Sequence, residues 1–251
     1  MLLSAKELKG YSIRTTDGEA GTVQELRFDD EGWKVRYVVV KAGGLLANRQ
    51  VLIVPEFVER ADRDTRVLQV GLTKEQVKNA PSAESDRPVA EGEEAARLAD
   101  YGASPYWGSG WEAAGAAPIH PGPYVRGRAA EVSVPREVGD PHLRSTEEVE
   151  GYSIGATDAR VGHVEDFVVD DEGWEIRYVV VDTRDWLPGK KVLVSPRWTS
   201  SVSWTHKELY VDLTHEEIKG APEWDPNAPL DREYETRLHE HYGRPPYWVY
   251  R

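Results

Sequence analysis

The stretch Asp29-Asp30-Glu31-Gly32-Trp33-Lys34-Val35-Arg36-Tyr37-Val38-Val39-Val40 returns 141 positions further on as Asp170-Asp171-Glu172-Gly173-Trp174-Glu175-Ile176-Arg177-Tyr178-Val179-Val180-Val181. Each copy begins with an acidic run ending in glycine and passes into strand-favouring residues. In the first copy Trp33, Val35, Tyr37 and Val39 alternate with Lys34 and Arg36, after which both faces turn apolar. That is the pattern of a strand running from a solvated surface into a core. The preceding strand, about residues 21–28, carries Val23, Leu26 and Phe28. The odd step from Val23 to Leu26 predicts a β-bulge near Gln24-Glu25. Residues 29–32 read as a hairpin turn in which Gly32 supplies the positive φ, with Trp33 opening the next strand.

The same offset holds well beyond this hairpin. Gly10-Tyr11-Ser12-Ile13 falls on Gly151-Tyr152-Ser153-Ile154, Val51-Leu52 on Val192-Leu193, Ala80-Pro81 on Ala221-Pro222, and Pro105-Tyr106-Trp107 on Pro246-Tyr247-Trp248, all without a gap. A unit spanning 1–107 and again 142–248 is domain-sized rather than a solenoid repeat. Later strands are expected at about 50–54, 56–61 and 65–70. Thr73-Lys74-Glu75-Gln76 and Thr214-His215-Glu216-Glu217 have the form of a capping box opening a short helix. Further helices are expected at about 91–101 and 231–242, with Gly102 and Gly243 at their C-terminal ends. The domain reading is therefore a first repeat over 1–107, with its barrel at about 5–81 and its arm at 82–107. A Gly/Pro/Ala-rich linker follows over 108–141, in which 131–134 could add an edge strand. The second repeat covers 142–251, with its barrel at about 146–222 and its arm at 223–251.

Composition narrows the function. The chain has no cysteine, which removes thiolate chemistry, disulfides and cysteine-based zinc sites. No apolar run approaches the roughly 18 residues of a membrane span, and the first residues lack the pattern of a secretory signal, so the expected location is cytoplasmic. A net charge of −13 without a clustered basic patch argues against nucleic acid as a partner. The charge is uneven, at about −3 over 1–107, about −1 over the linker and about −9 over 142–251, which makes the second repeat the better face for a basic partner.

The ordered set Asp17-Gly18, Gly21-x-Val23, Asp29, Trp33 to Val40 and Val51-Leu52-Ile53-Val54-Pro55 resembles the PRC-barrel family. It recurs as Asp158, Gly162-x-Val164, Asp170, Trp174, Tyr178 to Asp182, Trp186-Leu187-Pro188-Gly189-Lys190 and Pro196. In the first copy Ala42-Gly43-Gly44-Leu45-Leu46-Ala47-Asn48 replaces the Trp-Leu-Pro-Gly turn. The resemblance covers most of 5–81 and 146–222. It implies a mainly β fold of two tandem small PRC-type β-barrels, each followed by a short helix and a helical arm with an aromatic Pro-Tyr-Trp tip. It also implies a non-catalytic adaptor or scaffold that docks a protein partner or self-associates. An alternative implication is a cytoplasmic regulator of photosynthetic or membrane electron transfer, like the reaction-centre H subunit, associated peripherally with a membrane complex.

Candidate chemistry is sparse. Asp29-Asp30-Glu31 and Asp170-Asp171-Glu172 lack the twelve-residue ligand spacing of an EF-hand and read as turns. His239 and His241 with Glu240 stand two apart on a predicted helix and point in different directions. No nucleophile elbow or glycine-rich phosphate loop occurs. No catalytic, cofactor or metal residue is therefore assigned, and no cofactor is expected. The residues read as partner-binding are Tyr101, Tyr106 and Trp107 and their counterparts Tyr242, Tyr247 and Trp248, whose large apolar surfaces with polar tips suit protein interfaces. Two outcomes are open for these arms, packing within the chain or gripping another protein or another copy. Trp33 and Trp174 read as barrel-wall or rim residues.

Overall fold

The computed structural model describes residues 1–43, 49–83, 142–183 and 190–250. The first repeat runs β1 (Leu2–Ser4), α1 (Ala5–Leu8), β2 (Ser12–Thr15), β3 (Gly18–Asp29), β4 (Val35–Ala42), β5 (Gln50–Ile53), β6 (Val58–Asp62), β7 (Val67–Val70) and α2 (Lys74–Asn79). The second runs β8 (Leu143–Ser145), α3 (Thr146–Val149), β9 (Ser153–Gly155), β10 (Arg160–Asp170), β11 (Glu175–Asp182), β12 (Lys191–Val194), β13 (Thr199–Ser203), β14 (Glu208–Val211), α4 (His215–Gly220) and α5 (Arg232–His241). The predicted helix at 91–101, the edge strand at 131–134, the linker, most of the Ala42–Asn48 loop and the Trp186 to Gly189 turn lie outside the described residues.

Two mainly β sheets result, ordered β5-β4-β3-β2-β7-β6 and β12-β11-β10-β9-β14-β13. All pairings are antiparallel except β2 with β7 and β9 with β14. Among the described residues no ladder joins β5 to β6 or β12 to β13, so the hydrogen-bonded ring of each repeat is open there. Val38, Val39 and Val40 of β4 and Val179, Val180 and Val181 of β11 are buried, as expected for strands apolar on both faces.

The bulge appears where the odd step placed it. Register shifts between Val23 and Glu25, and again between Val164 and Asp166. Just before it the chains cross closely: a Cβ on Gly21 would stand 2.2 Å from the Lys41 carbonyl oxygen, and one on Gly162 would stand 2.0 Å from that of Asp182. Only glycine admits that approach, which explains the Gly-x-Val signature of both copies.

The hairpin turn departs from expectation. The left-handed residue is Trp33 (φ 54°), matched by Trp174 (φ 50°), and not Gly32 or Gly173. The strands begin after the tryptophans, at Val35 and Glu175. The Asp29 carboxylate is the reason. It accepts from the amides of Glu31 (3.0 Å) and Gly32 (2.8 Å), while the Trp33 amide donates to the Asp29 carbonyl at 2.8 Å. The turn therefore closes one residue later than the glycine. The strain of a left-handed bulky residue, about 1–2 kcal/mol, is offset by stacking of the Trp33 ring on Phe28 at 5.4 Å.

Both capping boxes form, Thr73 with Gln76 and Thr214 with Glu217. Gly243 takes φ +60° just after α5, as a helix-ending glycine does.

Candidate docking cleft

The seventh strand of each sheet comes from the other repeat. β1 lies antiparallel to β10, with Leu3 opposite Val169, and β8 lies antiparallel to β3, with Arg144 opposite Phe28. The exchange is reciprocal down to side chains. The Ser4 hydroxyl caps α1 through the Glu7 amide (3.1 Å) and donates to Asp166. The Ser145 hydroxyl caps α3 through the Glu147 amide (3.1 Å) and donates to Glu25. Glu25 and Asp166 flank the two bulges, so each bulge aims a carboxylate at the incoming strand of the other copy. Burial pushes the Asp166 carboxyl up to about 6, against the hydrogen bonds from Ser4, Phe167 and Lys6 that favour its charged form.

The two hairpins meet on the same pseudo-dyad. Lys34 lies opposite Glu175, the Val35 amide donates to the Trp174 carbonyl at 2.7 Å, and the Ile176 amide donates to that of Trp33 at 2.8 Å. Phe28 and Phe167 pack behind them, 5.6 Å apart. Repeats joined in this way share one seam.

A cleft of about 600 Å³ opens beside it. The first repeat contributes its hairpin, with Glu31 and Trp33; the second contributes strand β13, Arg197, Trp204 and Tyr247. Among the described residues β13 ends its sheet and pairs only with β14. Most charges along the cleft are already engaged. Arg177 binds Asp170 through two bonds (2.8 and 3.2 Å), also pairs with Glu175, and lies 4.3 Å over the Tyr247 ring. Asp30 is held by Arg144 and His142, each at 2.9 Å, and Arg144 covers one face of Trp204 at 4.3 Å. Two charges remain for a ligand. Glu31 is 74% exposed, and among the described residues it pairs only with His142, at 3.7 Å, while Arg197 makes no ion pair.

The aromatic arm of the second repeat folds back onto its own repeat. The Tyr178 hydroxyl donates to Glu235 of α5 at 2.9 Å and lies 3.1 Å from His239 Nε2. His239 stands edge-on to Trp198 (5.3 Å) and Trp248 (5.4 Å), and Arg232 lies 4.0 Å over Trp248. Burial raises the Tyr178 hydroxyl and the Glu235 carboxyl and lowers the His239 imidazole, so neutral forms are favoured throughout. Of the residues read as partner-binding, Tyr242 is buried against Trp198 (4.8 Å), Trp248 is half-buried and Tyr247 lines the cleft. Tyr101, Tyr106 and Trp107 lie outside the described residues. His241 and His239 have different partners: His241 Nε2 lies 2.7 Å from the Glu217 carbonyl oxygen, whereas His239 Nε2 meets the Tyr178 hydroxyl. Among the described residues no group of three potential metal ligands occurs.

Sequence reading missed Glu31, Arg197 and Trp204 as neighbours, because they come from three separated turns. The Ser4–Asp166 and Ser145–Glu25 pairs did leave a signal, since serine and carboxylate both recur at the common offset.

Together these features define a class, a tandemly duplicated β protein whose halves complete one another's sheets. The family model for the PRC-barrel domain matches residues 2–77 and 145–218, and the chain belongs to the PRC-barrel domain family. No curated protein matches it.

Proposed function

We propose that this protein is a non-catalytic adaptor that docks a protein partner in the inter-repeat cleft. The observation that supports it is the make-up of the cleft: walls from both repeats, tryptophans at Trp33 and Trp204, and an unspent Glu31 and Arg197. Aromatic and arginine side chains around a slot are what protein interfaces favour. PRC-barrel domains typically serve as protein-interaction modules, which agrees with this reading. In it Tyr247 contributes to the docking wall, and the rest of the second arm holds that wall in place. No helix among the described residues is long and apolar enough to cross a membrane.

Site-specific photo-crosslinking in the native host tests the proposal. A benzophenone side chain at Val202, in the cleft, should give a discrete adduct, whereas the same probe at Tyr210, which is exposed on the neighbouring strand, should not. Ser201→Arg in the first of these variants should abolish the adduct. Equal adducts at both positions would refute the cleft as the docking surface.

A further inference from the structure

We propose that the occupant of the cleft is a proline-rich segment of a partner protein, held in a polyproline II conformation and flanked by basic residues. This rests on the docking reading above and adds the chemistry of the partner.

Three observations carry it. The first is the aromatic lining. The Trp33 ring stacks on Phe28, and the Trp204 ring has the Arg144 guanidinium at 4.3 Å and the tilted Tyr152 ring at 6.1 Å; both tryptophans line the cleft, as do Tyr247 and Pro196. Slots between flat aromatic rings accept the pyrrolidine ridges of a polyproline helix, which loses little entropy because its conformation is already fixed.

The second is the donor balance. Proline segments have carbonyl acceptors but no main-chain N–H. Residues that line the cleft carry donors to match: the indole N–H groups of Trp33 and Trp204, the Arg197 guanidinium and the Ser201 hydroxyl. Strand addition along the β13 edge would instead require a partner with regularly spaced N–H groups, so the two modes call for different peptides.

The third is charge. Glu31 stands in the hairpin turn on the cleft lining, 74% exposed with His142 at 3.7 Å, and the chain as a whole carries −13. A basic residue following the proline run would find an opposite charge there. Arg197, on the other side, would discourage a second basic residue at that end and so set the direction of the segment.

The test is fluorescence anisotropy with the full chain and labelled synthetic peptides. The probe is three Pro-Pro-Ala units followed by Pro-Arg-Arg. The comparison peptides replace every proline by alternating Gly and Ser, replace the Arg-Arg end by Glu-Glu, or replace the proline units by Val-Thr repeats. The probe should bind about tenfold or more tighter than each of them, a difference expected from one well-packed anchor. Trp204→Ala should weaken the probe by about tenfold, and Glu31→Lys, at an exposed position that leaves the fold intact, should erase the preference for Arg-Arg over Glu-Glu. Equal binding of the Gly/Ser peptide, tighter binding of the Val/Thr peptide, or unchanged selectivity in the Glu31→Lys protein would each overturn the proposal. Failure here together with a discrete, Ser201→Arg-sensitive adduct at Val202 would remove the proline-rich identity and leave the docking cleft standing. Loss of that adduct's specificity would remove both.

Discussion

Asp166 sits where a carboxylate is least at ease, almost wholly buried beside a bulge and facing a strand from the other repeat. Its folded-state pKa of about 6 lies above its ordinary value of 3.8, so the folded chain binds this proton more tightly than the unfolded one. The stabilisation from that proton is complete below about pH 4 and is lost as pH rises through about 6, on the order of 3 kcal/mol in total. Asp166→Asn keeps an acceptor for the Lys6 and Phe167 amides and cannot titrate. The urea midpoint of the parent should therefore fall relative to that of the variant between pH 4.5 and pH 7, and an unchanged difference between the two would show that the carboxylate is not dry. A second single-residue prediction concerns Lys207, exposed and left-handed at φ 56° in the β13–β14 turn. Lys207→Gly removes about 1–2 kcal/mol of backbone strain and adds about 0.5–1 kcal/mol of unfolded-state entropy. The net effect is a stabilisation of about 0.5–1 kcal/mol, seen as a higher melting temperature.

At the scale of elements, the helix α5 and its aromatic tip are held by packing around a polar centre rather than by helix propensity. Tyr178, Glu235 and His239 form that centre, with Arg232 and Arg177 the cations near the carboxylate and the Arg244 carbonyl 3.3 Å from His239 Nδ1. Two opposed pH slopes follow. His239, with its folded pKa lowered, supports docking fully above the ordinary histidine range and less as pH falls through it, because the freed arm takes up the proton first. Glu235, with its pKa raised, supports docking at low pH and less as pH rises. Glu235→Gln removes the second slope. Hydrogen-exchange protection of the α5 amides, corrected for intrinsic rates, should in that variant fall steadily as pH drops from 7.5 to 5; protection that stays level would remove His239 from the docking energetics. How legible each element was depended on range. The β3–β4 hairpin, its bulge and both capping boxes are written in residues a few positions apart, and periodicity and turn chemistry located them. The turn at Trp33 was misplaced by one residue because its closure depends on where the Asp29 carboxylate finds its amides, which spacing does not encode. The cleft was not legible at all, since Glu31, Arg197 and Trp204 become neighbours only when the hairpin of one repeat is laid beside β13 of the other.

For the whole molecule, the duplication was plain in the sequence but the exchange was not. Leu2-Leu3-Ser4 and Leu143-Arg144-Ser145 are too short to carry periodicity, and either strand would fit its own sheet as well as its sister's. What decides the pairing is closure of a seam in which the strand exchange and its serine–carboxylate bond are each made twice, the arrangement of a pseudo-symmetric dimer built within one chain. Neither repeat then has a complete sheet without the other, and their being joined in one chain raises their effective concentration. A specific protease site introduced between Gly110 and Trp111 makes this measurable. After cleavage the two halves should still co-elute at the mass of the intact chain, because the exchanged strands and the Lys34–Glu175 bridge are untouched. Their unfolding should become dependent on protein concentration, as it is not for the intact chain, since what was an intramolecular association is now bimolecular. Halves that separate on dilution and keep independent, concentration-independent melting transitions would mean that each repeat completes its own sheet, and the reciprocal strand exchange would have to be abandoned.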